Sequence, residues 1–174
     1  PLPRKCSQWF AKSSKVSANK MIHIKTPQEI ALMRESCRIV KETLEFVGKN
    51  IKAGMTTKEV DDLVYRYITS CGATPSSLGY EGFPASACVS VNDVVVHGIP
   101  SDGQIIVDGD IVSVDITVEK NGYNGDAART FLIGNVSEEK RKLVKVTEEC
   151  FFKAIEGLRA GTPLYDIGYA VQTY

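Results

Sequence analysis

The apolar positions of this chain change period along its length, and each change marks off a helical or a strand-forming stretch. Ile30, Met33, Cys37, Val40, Leu44 and Val47 recur at spacings of three and four, the stripe of a helix that buries one side. Thr26-Pro27-Gln28-Glu29 supplies its start. Thr26 can cap free amides, Pro27 sits where its missing N–H costs nothing, and Glu29 can reach back to close a capping box. The spacing predicts a helix to about Lys49, led in by a short apolar strand or extended segment from Met21 to Lys25. After Gly54 the pattern recurs: Thr56 and Glu59 can form a second box, and Val60, Leu63, Val64, Tyr67 and Ile68 line the inner side of a helix ending near Gly72.

From Ser86 the period shortens to that of strands. Ala87 to Val91, Val94 to Val96, Gln104 to Val107, Ile111 to Glu119 and Tyr123 to Ile133 are rich in β-branched residues and separated by Asn, Asp and Gly turns. Ser137 then caps a third helix running to about Leu158. The helix-loop-helix unit repeats: Ile51 to Val60 (IKAGMTTKEV) aligns with Leu158 to Ile167 (LRAGTPLYDI), 107 positions later, and Val64 and Tyr67 fall on Val171 and Tyr174. A duplication predicts a second strand block after Tyr174.

Composition narrows the function classes. With 43% hydrophobic residues the chain can build a core, and 21 basic against 21 acidic residues leave no net field to gather nucleic acid or anionic lipid. Its apolar runs are of strand length, well under the roughly 20 residues of a membrane span. The five cysteines are odd in number, scattered and free of CxxC spacing, which argues against a disulfide framework or zinc knot and favours a reducing cytoplasm. Residues 1–20 are basic and Ser-rich, a tail or remnant of an N-terminal extension, and residues 21–174 form the folded domain.

The candidate chemistry centres on two aspartates. Asp115 interrupts the β-branched strand Ile111-Val-Ser-Val-Asp-Ile-Thr-Val118, where an isolated ionised carboxylate is costly and calls for a proton, a cation or a metal. A two-residue turn at Asn121-Gly122 sets Asp126 opposite Thr117, which shares a face with Asp115 by the period of two. Carboxylates crowded in this way raise each other's pKa unless positive charge lies between them; a divalent ion is the usual resolution. An Arg partner for Asp115 and a plain turn role for Asp126 stay open at this point. His97, where the apolar run Val94 to Val96 ends before Gly98 and Pro100, is a candidate ligand, general acid or hydrogen-bond donor. His23 reads as structural.

The run Leu78-Gly-Tyr-Glu-Gly-Phe-Pro84, Ser86 to Val91, Asn92-Asp93-Val94-Val-Val-His-Gly-Ile-Pro100, Asp108-Gly-Asp-Ile-Val-Ser-Val-Asp115 and Asn124-Gly-Asp126 resembles the type I methionine aminopeptidases in order and spacing, over about Met21 to Tyr174. The resemblance implies an α+β pita-bread fold, here its N-terminal half plus the first helices of the C-terminal half. It implies two divalent ions (Co, Mn, Fe or Zn) with Asp115 and Asp126 as ligands, Asp126 bridging, and Thr117 beside the metal water. His97 would stand near the scissile bond as a catalytic and substrate-binding residue, and Tyr80, Phe83 and Cys88 would wall the methionine pocket. The implied substrate is the N-terminal methionine of nascent peptides, with the ribosome as a further partner, no membrane or nucleic-acid specificity, and a monomeric full-length enzyme. Glu81 and Ser77 depart from the family's usual histidine and cysteine. The family's other ligands, one His and two Glu, have no counterpart before Tyr174, so these residues alone are expected to be inactive. Alternatives are a prolidase-like peptidase of the same fold and a non-catalytic peptide- or ribosome-binding relative.

Overall fold

The computed structural model describes residues 22–174; the expected basic tail, residues 1–20, and Met21 lie outside the described residues. Helix α1 (Pro27–Asn50) and helix α2 (Thr57–Ser70) begin at the expected capping boxes. In the first, Glu29 N–H donates to Thr26 Oγ1 (3.3 Å) and Thr26 N–H to Glu29 Oε2 (2.7 Å); in the second, the matching bonds of Thr56 and Glu59 measure 3.1 and 2.7 Å. Each box satisfies two amides that a helix start leaves unpaired.

The buried stripe of α1 is turned from the expected one. Ser36, Ile39, Val40, Thr43, Leu44 and Val47 face inward, whereas Cys37 and Ile30 are exposed and Met33 is half-buried. The cause is the strand it meets. A Cβ on Gly125 would lie 2.6 Å from the Cys37 amide nitrogen, so the strand backbone rests directly against the helix, and Ser36 Oγ donates to the Tyr123 carbonyl at 2.7 Å. A polar residue therefore takes an inside position that periodicity assigns to an apolar one.

The sheet is built around β3 (Ile111–Lys120). Along one side it pairs with β4 (Tyr123–Leu132); along the other lie β2 (Ala87–Val91) and the two-residue β1 (Thr74–Pro75), all antiparallel. The β3–β4 hairpin closes through Asn121 and Gly122 at φ 55° and 80°, the left-handed pair that a two-residue turn requires. Its register sets Thr117 opposite Asp126, as expected. Val112, Val114, Ile116 and Val118, with Ala87, Val89 and Val91, bury one face of the sheet beneath Ile39, Val47, Val60, Val64 and Ile68. Removing each Ile or Val side chain from water contributes about 1.5–3 kcal/mol.

Two expected strands are absent. The lead-in to α1, expected as a strand or an extended segment, forms no strand over residues 22–26, and Ile22 and Ile24 are exposed to water. Gln104 to Val107 contributes a single bridge, Thr56 to Ile105. Val94 to Val96 lies in an exposed loop, because the turn at Asn92 (φ 53°) sends the chain back along β2, which it rejoins at Gly98.

Helix α3 (Glu138–Glu156), capped by Ser137, and helix α4 (Tyr165–Thr173) pack on one another. They repeat the geometry of α1 and α2. Gly54 and Gly161 have φ 92° and 91°, and the loop bond from Met55 N–H to the Lys52 carbonyl (3.4 Å) recurs from Thr162 N–H to the Arg159 carbonyl (3.0 Å). The sequence repeat is thus a structural one at an offset of 107 residues.

Candidate metal centre

The face of the sheet turned away from α1 and α2 is polar. Successive alternate positions of β3 present Ser113, Asp115, Thr117 and Glu119, all half-exposed, and their partners on β4 are Thr130, Ala128, Asp126 and Asn124. Hydroxyl pairs stitch the surface: Ser113 and Thr130 lie 2.7 Å apart, and Thr117 Oγ1 donates to Asp126 Oδ2 at 2.6 Å. On the other side of β3, Cys88 is the partner of Asp115 and Ser90 that of Ser113. One strand register therefore gathers Cys88, Asp115, Thr117 and Asp126 on a single face.

Their electrostatics fit a cation site. Burial and then the neighbouring Asp126 charge push the Asp115 carboxyl above its ordinary range, with His97 opposing the rise. The Cys88 thiol is pushed up to about 11, first by burial and then by Asp115, Asp126 and Asp61. No Lys, Arg or His forms an ion pair with Asp115 or Asp126 among the described residues, so the Arg alternative for Asp115 fails. Two oxygen-donor side chains on one face, the charge of Asp126 raising the Asp115 carboxyl, suit a divalent ion. Among the described residues, no group of three or more His, Cys, Asp or Glu side chains is placed to hold an ion.

The other expected site residues differ in exposure. His97 is exposed, with a left-handed backbone (φ 58°), in the loop that folds back on β2. Phe83 is half-buried, and Tyr80 stands 69% exposed on the 3-10 turn Tyr80–Gly82. Glu81, inside that turn, takes φ 47°, and Ser77 is half-buried before it. Asp61 escaped the sequence reading: this buried α2 carboxylate accepts the Ser86 and Ala87 amides through Oδ1 (2.8 and 3.0 Å) and so fixes the start of β2. Its signal was its place on the stripe of Val64 and Ile68, at spacings of three and seven, where a carboxylate must find buried donors.

Comparison with known proteins gives the family and the fold. Residues 31–174 match the family model described as Metallopeptidase family M24. Methionine aminopeptidase 1 of Bacillus subtilis is 48% identical over 154 residues, which cover 88% of this chain and 62% of that relative. The crystal structure of methionine aminopeptidase from Rickettsia prowazekii superposes with a TM-score of 0.86 at 42% identity, over 88% of this chain and 62% of that one. An X-Pro aminopeptidase from Thermotoga maritima, at 23% identity and a TM-score of 0.73 over 86% of this chain and 41% of that one, shares the fold alone. The architecture is the pita-bread fold, and the chain spans about 62% of the length of the Bacillus relative.

Proposed function

Because this chain belongs to metallopeptidase family M24, we propose that it provides one half of the active site of a methionyl aminopeptidase, which removes the initiator methionine from nascent proteins. The supporting observation is the hairpin register that pairs Thr117 with Asp126, since it turns both aspartates to one face. In this reading Asp115 and Asp126 would hold the divalent ions, drawn from Co, Mn, Fe or Zn. When bound, such ions would supply a Lewis acid and lower the pKa of a coordinated water. Thr117 donates its hydroxyl to Asp126 Oδ2, which would orient that carboxylate toward the ions and leave Thr117 beside the water. His97 hydrogen-bonds the substrate amide and so orients the carbonyl and steadies charge that develops there.

Cys88, Phe83 and Tyr80 wall the pocket for the methionine thioether, to which aromatic and sulfur surfaces are suited. The raised Cys88 pKa keeps that wall a neutral thiol at ordinary pH, a surface compatible with an apolar side chain. Residues 21–174 act as one metallopeptidase domain and residues 1–20 as an appended basic tail. The described cysteines, Cys37, Cys71, Cys88 and Cys150, are all free, which suits the cytoplasm, and no described helix is long and apolar enough to cross a membrane. The protein acts as a monomer and meets its substrate at the ribosome.

The test is hydrolysis by the polypeptide of the intact gene, stripped of metal and reloaded with each of the four ions, on Met-Ala-Ser and on an Ala-Pro peptide. Methionine release from the first alone is expected, with a loss of at least about a thousandfold in Asp126→Asn. Cleavage of Ala-Pro in its place would make the enzyme prolidase-like, and peptide binding without hydrolysis would make it a non-catalytic relative. An Asp126→Asn variant as active as the parent would sink the metal role.

A further inference from the structure

His97 is a non-glycine residue in the left-handed region, a conformation that costs energy unless its surroundings enforce it. The enforcement comes from the next residue. Gly98 N–H donates to Ser90 Oγ at 3.0 Å, and the Gly98 carbonyl accepts from Val89 N–H at 2.9 Å, so both backbone polar groups of this one residue are tied to β2. The approach is as close as a backbone allows, since a Cβ on Gly98 would overlap the Val89 carbonyl oxygen. Ser90 itself is 4% exposed and rigidly placed. It is the β-partner of Ser113 and lies two residues from Cys88, the partner of Asp115, so its hydroxyl belongs to the same sheet face as the two aspartates' strand positions.

We propose that Ser90 is a positioning residue: its hydroxyl clamps the Gly98 amide and thereby holds the strained His97 backbone with its imidazole directed at the reacting end of the substrate. The inference deepens the peptidase reading and rests on its role for His97. Two neighbours make the clamp selective for this segment. The Ser113 hydroxyl, next to Ser90 across the strands, is engaged with Thr130 and touches nothing in the 96–98 loop, and the Asn92 side chain, which holds the start of the loop, is committed to Asp110 and the Ile111 amide. Ser90 is the side chain that reaches the loop at its His97 end. Loss of its hydroxyl leaves the Gly98 amide unpaired and lets His97 relax toward an ordinary backbone conformation.

Ser90→Ala and, as a control on the same face, Ser113→Ala are to be made in the polypeptide of the intact gene, labelled with 15N-histidine. The His97 ring resonance is identified by its disappearance in His97→Gln. The expected result for Ser90→Ala is a displaced or broadened His97 resonance and a kcat about tenfold lower with KM within twofold, while Ser113→Ala leaves the His97 resonance in place. A Ser90→Ala protein whose His97 resonance matches that of the parent and of Ser113→Ala overturns the clamp, and the spectroscopic arm decides this whatever the activity. If the resonance moves but kcat holds, the clamp stands and the substrate-facing role of His97 falls.

Discussion

The chain builds the same helix-loop-helix unit twice and treats the two copies oppositely. In the α1–α2 copy, Ile39, Val47, Val60, Val64 and Ile68 are wholly removed from water by the sheet. In the α3–α4 copy, Ala154 is the only buried residue of α3 and α4 has none, while Phe151, Phe152, Tyr165 and Tyr169 remain 58–76% exposed. The loops between the helices nevertheless agree in glycine conformation and hydrogen bonding. Local geometry is thus set by local sequence, whereas stability depends on what the apolar stripe is pressed against.

The largest expected difference between the copies lies in their cores. Ile39→Ala should cost the 174-residue chain about 3 kcal/mol in urea denaturation, because it opens a cavity between α1 and the sheet. Phe152→Ala, at a residue 58% exposed, should cost under about 0.5 kcal/mol although more atoms are removed. Equal losses would mean that the second copy is covered in solution and would erase the contrast. A smaller effect separates the loops. Alanine at Gly54 or Gly161 meets no neighbour within 4 Å, so its cost is the strain of φ near 91°, about 1 kcal/mol in either place. Gly54→Ala should lower global stability by that amount. Gly161→Ala should leave the denaturation midpoint unmoved and speed amide exchange in α4 alone, since α4 packs on α3 and has no buried residue.

Much of this was legible before any coordinates, for identifiable reasons. Capping boxes at Thr26 and Thr56 are short-range chemistry, and the Asn121-Gly122 turn fixes a register, so the juxtaposition of Asp126 with Thr117 on the Asp115 face could be read from three residues and a period of two. Val94 to Val96 misled because β-branched residues report the capacity to line a sheet and not the presence of a partner; here the neighbouring edge of β2 bonds the returning chain at Gly98. The α1 stripe was misread around Ser36 and Cys37 because the close approach of Gly125 lies 88 residues further along the chain, where no helical period can register it. Asp61 was overlooked for a related reason, since its stripe position signals burial but not the donors that meet it. A helix carboxylate reads as a solvated group until the strand start that donates to it is placed beside it.

The smallest effect expected concerns acid, and it too should divide the copies. The α1 cap closes with a glutamate, Glu29, which accepts from the Thr26 amide, lies 3.0 Å from His23 Nε2 and receives the Tyr123 hydroxyl at 3.0 Å. These bonds, the Thr26 amide foremost, lower its pKa from 4.5 to about 2. The α3 cap, Ser137, has Lys140 at the corresponding position, and that side chain reaches instead to Asn92 and to the Gly109 carbonyl. A carboxyl depressed in the folded state binds fewer protons there than in the unfolded chain, so its contribution is complete above the unfolded pKa and fades as pH falls through the folded one. Between pH 4.5 and about 2 the 174-residue chain should therefore lose stability through Glu29, and Glu29→Gln should flatten that part of the profile while leaving the slope above pH 5 unaltered. Because Glu29 keeps part of its surface in water, salt should weaken the effect, and a Glu29→Gln chain with an unchanged acid profile would show that the cap of α1 is no more sensitive to protons than that of α3.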